Sequence, residues 1–194
     1  FFSSVKPSLR ASNKKIPELY ILKTFNMKKI FSSLLILTIT TQLSAQKIIP
    51  IEFNGKKYEV LDMIPKGKVM WGGNSEEIPG DAAKSESNGS TNTAAIVAVV
   101  GDNTKNGLEG KPYAAKLCKE AKIGGKEDWY LPSKDESDAI YAFKDKFAVE
   151  ERGTIWTSTE ASGTTAVTKY WYTGAFYNVQ KTDSYHFVCI RKVD

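Results

Sequence analysis

The sequence predicts an α+β domain in which two helices are set among antiparallel strands and long loops. Three observations lead there. Apolar and polar residues alternate on both sides of Asn54-Gly55, two amphipathic segments with legible helix boundaries occupy the middle of the chain, and strand-like alternation returns from Thr154 onward.

Residues 47–63 (KIIPIEFNGKKYEVLDM) are read as two strands joined at Asn54-Gly55, a dipeptide that tolerates the positive φ angles a two-residue hairpin turn requires. After Val69-Met70-Trp71 the composition changes to Gly, Ser, Asn, Asp and Glu, so residues 72–93 read as a long surface loop. Residues 94–100 (AAIVAVV) are short and wholly apolar, as a buried strand is. A first helix is expected to begin near Pro112, since proline suits the first helical position. It would place Ala114, Leu117, Cys118 and Ala121 on one face and stop at Gly124-Gly125. A second begins at Ser133, where Ser133 and Glu136 have the spacing of a capping box, and carries Ala139, Ile140, Phe143 and Phe147. Strands follow at 154–158, 167–173, 175–179 and 185–191, with a hairpin turn at Gly174.

Ahead of the first strand come Met27-Lys28-Lys29, an apolar run over residues 30–39, and a small residue, Ala45, before Gln46. That is the pattern of an export signal peptide over 27–45, and its apolar run is half the ~20 residues a spanning helix needs. Residues 1–26 contain no methionine and are read as sequence upstream of the true start. The mature chain is then 46–194, enough for one domain with a core and short for two. It is expected to carry no membrane span. Seven of the 27 basic residues and one of the 22 acidic residues precede Gln46, which leaves 20 against 21. The basic character of the whole chain therefore belongs to the leader, and nucleic acid is not an expected partner. The expected location is extracellular or at the cell surface, with the periplasm also open to it. In such an oxidising compartment the two cysteines, Cys118 and Cys189, are expected to be bridged; two reduced, buried thiols are the alternative.

Four spaced segments carry a family resemblance. They are Ala114-Ala115-Lys116-Leu117-Cys118, Asp128-Trp129-Tyr130-Leu131-Pro132-Ser133, Trp156-Thr157-Ser158-Thr159-Glu160, and Val188-Cys189-Ile190-Arg191. In this order they resemble the Lcl C-terminal domain family, whose members have a C-type-lectin-like fold and occur at bacterial surfaces and in phage proteins. The resemblance covers about residues 94–193. Two positions depart from the family pattern: Ser137 stands where an apolar residue is usual, and Val188 where an arginine is common. The resemblance implies a C-type-lectin-like fold, in which a disulfide typically ties a helix to the last strand, and Cys118 and Cys189 sit in those two places.

Little in the sequence points to catalysis. The single histidine, His186, lies in a strand without an acid or base nearby in sequence, and no phosphate-binding loop, His-Glu-x-x-His or Cys-x-x-Cys spacing occurs. Formylglycine-generating enzymes, distant relatives of this fold, use a pair of active-site cysteines, and a Cys118–Cys189 bridge would leave no thiol for that role. No enzyme and no cofactor are expected. Acidic and amide groups in residues 74–81 are of the type that ligates calcium, but the Glu-Pro-Asn and Trp-Asn-Asp signatures of calcium-dependent lectins are missing, so no metal is expected either.

Binding is the better reading. Trp129, Leu131 and Trp156 are expected in the core, and Thr157, Ser158 and Thr159 at backbone groups of a turn. In the aromatic cluster Tyr170, Trp171, Tyr172, Phe176 and Tyr177, strand alternation sends Tyr170 and Tyr172 to one face and Trp171 to the other. Candidate ligand residues are Glu160, Tyr170, Trp171, Tyr172, Tyr177, Asn178 and Lys181, with rings stacking on sugars and polar groups bonding hydroxyls or sulfates. The expected partner is a polysaccharide or cell-surface glycan, in an adhesive role. The alternative is a structural or assembly subunit of a surface or phage-like appendage, whose aromatic face meets a protein partner at the cell surface.

Overall fold

A computed structural model describes residues 47–62, 67–73, 76–103, 110–147 and 153–193, all within the unit Gln46–Asp194. The expected leader, 27–45, and the segment 1–26 lie outside the described residues. The class is α+β, with two antiparallel three-stranded sheets.

The first sheet grows from the opening hairpin. β1 (Ile48–Phe53) and β2 (Lys56–Leu61) meet at Asn54 (φ 51°) and Gly55 (φ 73°), the two positive angles that the Asn-Gly signal anticipates. Within the last expected strand, Tyr185 and His186 make only isolated bridges, to Val69 and Ile155. The strand that joins the sheet is Cys189–Val193, numbered β6, which pairs antiparallel with β2 and sets Val60 opposite Ile190. The second sheet orders β3 (Thr154–Glu160), β4 (Thr165–Tyr170) and β5 (Phe176–Gln180), leaving β5 at its edge.

Residues 94–100 are not a strand. They are the last two turns of a helix, α1 (Gly89–Val100), which starts inside the expected loop. Asn88 caps it, its Oδ1 accepting from the Thr91 N–H at 3.1 Å. Burial at Asn92, Thr93, Ile96 and Val100 follows helical spacing, while Ala94 and Ala98 are exposed. The two buried polar residues are satisfied: Asn92 donates to the Ser85 carbonyl at 2.6 Å, and Thr93 Oγ1 accepts from the Leu131 N–H at 3.0 Å. The rest of 72–93 is not simply a surface loop either, since Ile78 and Ala83 are fully buried.

The other helices are shorter than their apolar patterns. α2 (Ala114–Lys119) ends at Glu120, and Gly124-Gly125 instead turn a small bridge between Ile123 and Lys126. α3 (Lys134–Ala142) has the complete Ser133/Glu136 capping box and passes into a 3-10 turn at Lys144–Lys146. Glu136 also reaches a second helix: its Oε2 accepts from the Gly89 N–H at 3.0 Å as well as from the Ser133 N–H at 2.9 Å, and its Oε1 accepts from the Tyr130 hydroxyl. One buried carboxylate thus serves the N-termini of both α1 and α3. Space there is closed. A Cβ on Gly89 would lie 2.5 Å from Glu136 Oε2 and 2.6 Å from the Leu131 carbonyl oxygen. Gly89→Ala is therefore expected to destabilise the fold by roughly 2–3 kcal/mol, read as a lower denaturant midpoint at unchanged slope.

The Cys118–Cys189 bridge joins α2 to β6 across 71 residues of sequence. All four tryptophans are buried. Trp71, Trp129 and Trp156 share one apolar cluster with Ile78, Ile96 and Ala115, and Trp171 belongs to a second with Ile51, Val60, Ile140, Ile155 and Ile190. The register of β3 slips between Trp156 and Glu160, and Thr157, Ser158 and Thr159 are all buried there. They occupy a bulged strand rather than the expected turn, yet they do serve backbone groups: Thr157 Oγ1 donates to the Val167 carbonyl at 2.8 Å and Thr159 Oγ1 to that of Ser85 at 3.0 Å.

Candidate ligand-binding site

The site is built on the β4–β5 hairpin. Gly174 (φ 75°) closes it, with the Gly174 N–H donating to the Tyr170 carbonyl at 2.8 Å and the Tyr170 N–H to that of Ala175 at 2.7 Å. The register sets Thr168 opposite Tyr177 and Val167 opposite Asn178. β4 ends at Tyr170, short of the expected 173, so Trp171 and Tyr172 lie in the turn; Trp171 is nonetheless buried and Tyr172 exposed, the separation that the sequence suggests.

On the outer face Tyr172 is 57% exposed and Tyr177 52%, the two exposed large apolar side chains among the described residues. Tyr170 lies between them, its ring centroid 5.4 Å from that of Tyr172 and 6.1 Å from that of Tyr177. Asn178 is exposed beside them. A shallow depression of about 500 Å³ opens here, lined by Thr154, Thr168, Tyr170, Tyr177, Asn178 and Val179. The sequence reading missed Thr154, Thr168 and Val179. Thr168 was within reach of it, because it stands two residues before Tyr170 on the same strand face.

The other candidates lie elsewhere. Trp171 is 1% exposed, its ring packed edge-on against Tyr141 at 5.9 Å and Phe147 at 6.0 Å, so it fills the core and offers no face to a ligand. Lys181 and Glu160 are also withdrawn. They form a buried ion pair at 2.6 Å, with Lys181 1% and Glu160 3% exposed. Lys181 Nζ also donates to the Glu76 carbonyl at 2.7 Å and lies 4.7 Å from the Trp71 ring centre. Glu160 Oε1 accepts from the Ile78 N–H at 3.0 Å. Burial draws the Lys181 ammonium below the ordinary lysine pKa, while its hydrogen bond to Glu160 and that carboxylate's charge oppose the shift. The pair fastens the segment carrying Glu76 and Ile78 to the ends of β3 and β5. Of the seven candidates, Tyr170, Tyr172 and Tyr177 share the outer face, while Asn178, paired with Val167 and so on the other face of edge strand β5, is exposed at the border of the depression.

His186 is half-buried, and its carbonyl accepts from the Trp156 N–H at 2.9 Å. Of the residues considered for calcium, 74 and 75 lie outside the described residues. No group of three or more His, Cys, Asp or Glu suited to a metal occurs among the described residues. Nor is any helix among them long and apolar enough to cross a membrane.

No known protein-family model matches the sequence, and a search of curated proteins finds no match.

Proposed function

We propose that the protein is an exported, C-type-lectin-like binding module that recognises a polysaccharide or cell-surface glycan through the tyrosine face of the β4–β5 hairpin, in an adhesive role and without catalysis. The observation that carries this reading is the pair of exposed rings, Tyr172 and Tyr177, on either side of Tyr170, with Tyr170, Tyr177 and Asn178 lining an open depression. Exposed aromatic rings next to amide and hydroxyl groups suit a sugar, whose C–H face stacks while its hydroxyls bond.

The lectin-like part of the reading is supported by the helix-to-last-strand disulfide, and export by the presence of that bridge. Arg191 adds to the agreement between motif segments, pairing in two-pronged fashion with Asp128 at 2.7 and 2.9 Å and with Glu59 at 2.9 Å. In this reading the ligand is held without calcium.

A second reading has one observation in its favour: β5 ends its sheet, and an edge strand can accept a strand from a protein partner. A glycan array probed with the purified, oxidised protein, with and without chelator, tests the proposal. Chelator-insensitive binding is expected. Silence across the array, together with a concentration-dependent oligomer in solution, would favour the protein-partner reading instead.

A further inference from the structure

The two lysines of this hairpin region are both buried and paired, and so are withheld from the tyrosine face. Lys169, in β4 between Thr168 and Tyr170, is 1% exposed. Its ammonium pairs with Asp138 at 2.5 Å, donates to the Gly174 carbonyl at 2.8 Å, and lies 3.9 Å from the Phe176 ring centre and 4.9 Å from that of Tyr141. Lys181, directly after β5, is held by Glu160 and the Glu76 carbonyl. Both cations are neutralised inside the fold.

Among the described residues, the depression is lined by uncharged side chains. Its described lining consists of two threonines, two tyrosines, an asparagine and a valine. Sulfate and carboxylate groups are recognised by exposed Arg and Lys, whose charge-assisted bonds are about twice as strong as neutral ones. A hydroxyl-bearing ring needs only stacking area and neutral donors and acceptors.

We infer that the tyrosine face selects uncharged glycans and disfavours sulfated or carboxylated ones. This rests on the reading of that face as a glycan site and names the ligand class it takes. Binding should accordingly depend little on ionic strength, because the described lining offers no charge for salt to screen.

The test is a panel of neutral polysaccharides with their sulfated counterparts, dextran with dextran sulfate among them, bound to the whole protein at low and at high NaCl. The expected result is binding to at least one neutral member, with similar affinity at both salt concentrations and weakened by about tenfold or more on sulfation. That binding should be lost in Tyr172→Ala/Tyr177→Ala. Asn178→Lys, which places a cation at the border of the depression, should shift preference toward the sulfated member. Stronger binding to the sulfated member by the unaltered protein, fading as salt rises, would overturn this inference while leaving the glycan reading intact. Failure to bind any member would overturn the glycan reading itself.

Discussion

Lys181→Met is expected to destabilise the protein by roughly 3–5 kcal/mol, because it strands the Glu160 carboxylate in the interior. Glu160 Oε1 would keep only the Ile78 N–H, and its Oε2 already has no hydrogen-bond partner among the described residues. The loss would propagate. Lys181 Nζ also holds the Glu76 carbonyl, and its own backbone carbonyl accepts from the Trp71 N–H at 3.1 Å, so the segment between Trp71 and Ala83 is fixed at both ends of this residue. Denaturant unfolding should show a large fall in midpoint. Pairing the change with Glu160→Leu removes the stranded charge and should recover most of the loss, since replacing a buried ion pair by apolar groups is often neutral. A single variant as stable as the parent would mean that the pair is not buried as described.

Opening the Cys118–Cys189 bridge should cost about 4 kcal/mol on the chain-entropy account, because the two cysteines stand 71 positions apart in the sequence. In a domain of this size that corresponds to a fall in melting temperature of roughly 10 °C. Cys118→Ala/Cys189→Ala measures it directly by calorimetry. Both cysteines are fully buried in the cluster around Trp129 and Trp156, so reduction of the native protein by added thiol should be slow and should accelerate in mild denaturant. Rapid reduction without denaturant would contradict that burial.

The parts of the fold that the sequence disclosed are those in which local chemistry decides the backbone. Asn54-Gly55 can turn a hairpin with both φ angles positive, and Ser133 and Glu136 can satisfy each other's N–H groups, whatever surrounds them. The segment 94–100 was misleading for the opposite reason. Seven apolar residues have no intrinsic period, and what makes them helical is the Asn88 cap and the Glu136 carboxylate, 47 residues from Gly89, reaching the helix start.

The candidate site divides in the same way. Alternation anticipates that Trp171 is buried and Tyr172 exposed, although both lie in the turn after β4 rather than in the expected strand. No local rule shows that Lys181 turns inward to Glu160, since that depends on a buried partner on another strand. The segments behind the family resemblance touch one another: Cys118 meets Cys189, Asp128 meets Arg191, Tyr130 pairs with Ile190, and the Ser158 N–H donates to the Pro132 carbonyl at 2.8 Å. They describe a scaffold. The exposed tyrosines lie outside them, which is why motif and ligand have to be argued separately.

The measurement that bears most directly on the proposed function compares the protein with Tyr172→Ala/Tyr177→Ala on one glycan panel, with melting temperatures recorded in parallel. Both side chains are exposed, so stability should change by no more than about 1 kcal/mol. Loss of two stacking rings at about 1 kcal/mol each should weaken glycan binding by roughly tenfold or more. A folded double variant that binds the same glycans with undiminished affinity would contradict the assignment of the tyrosine face as the binding site.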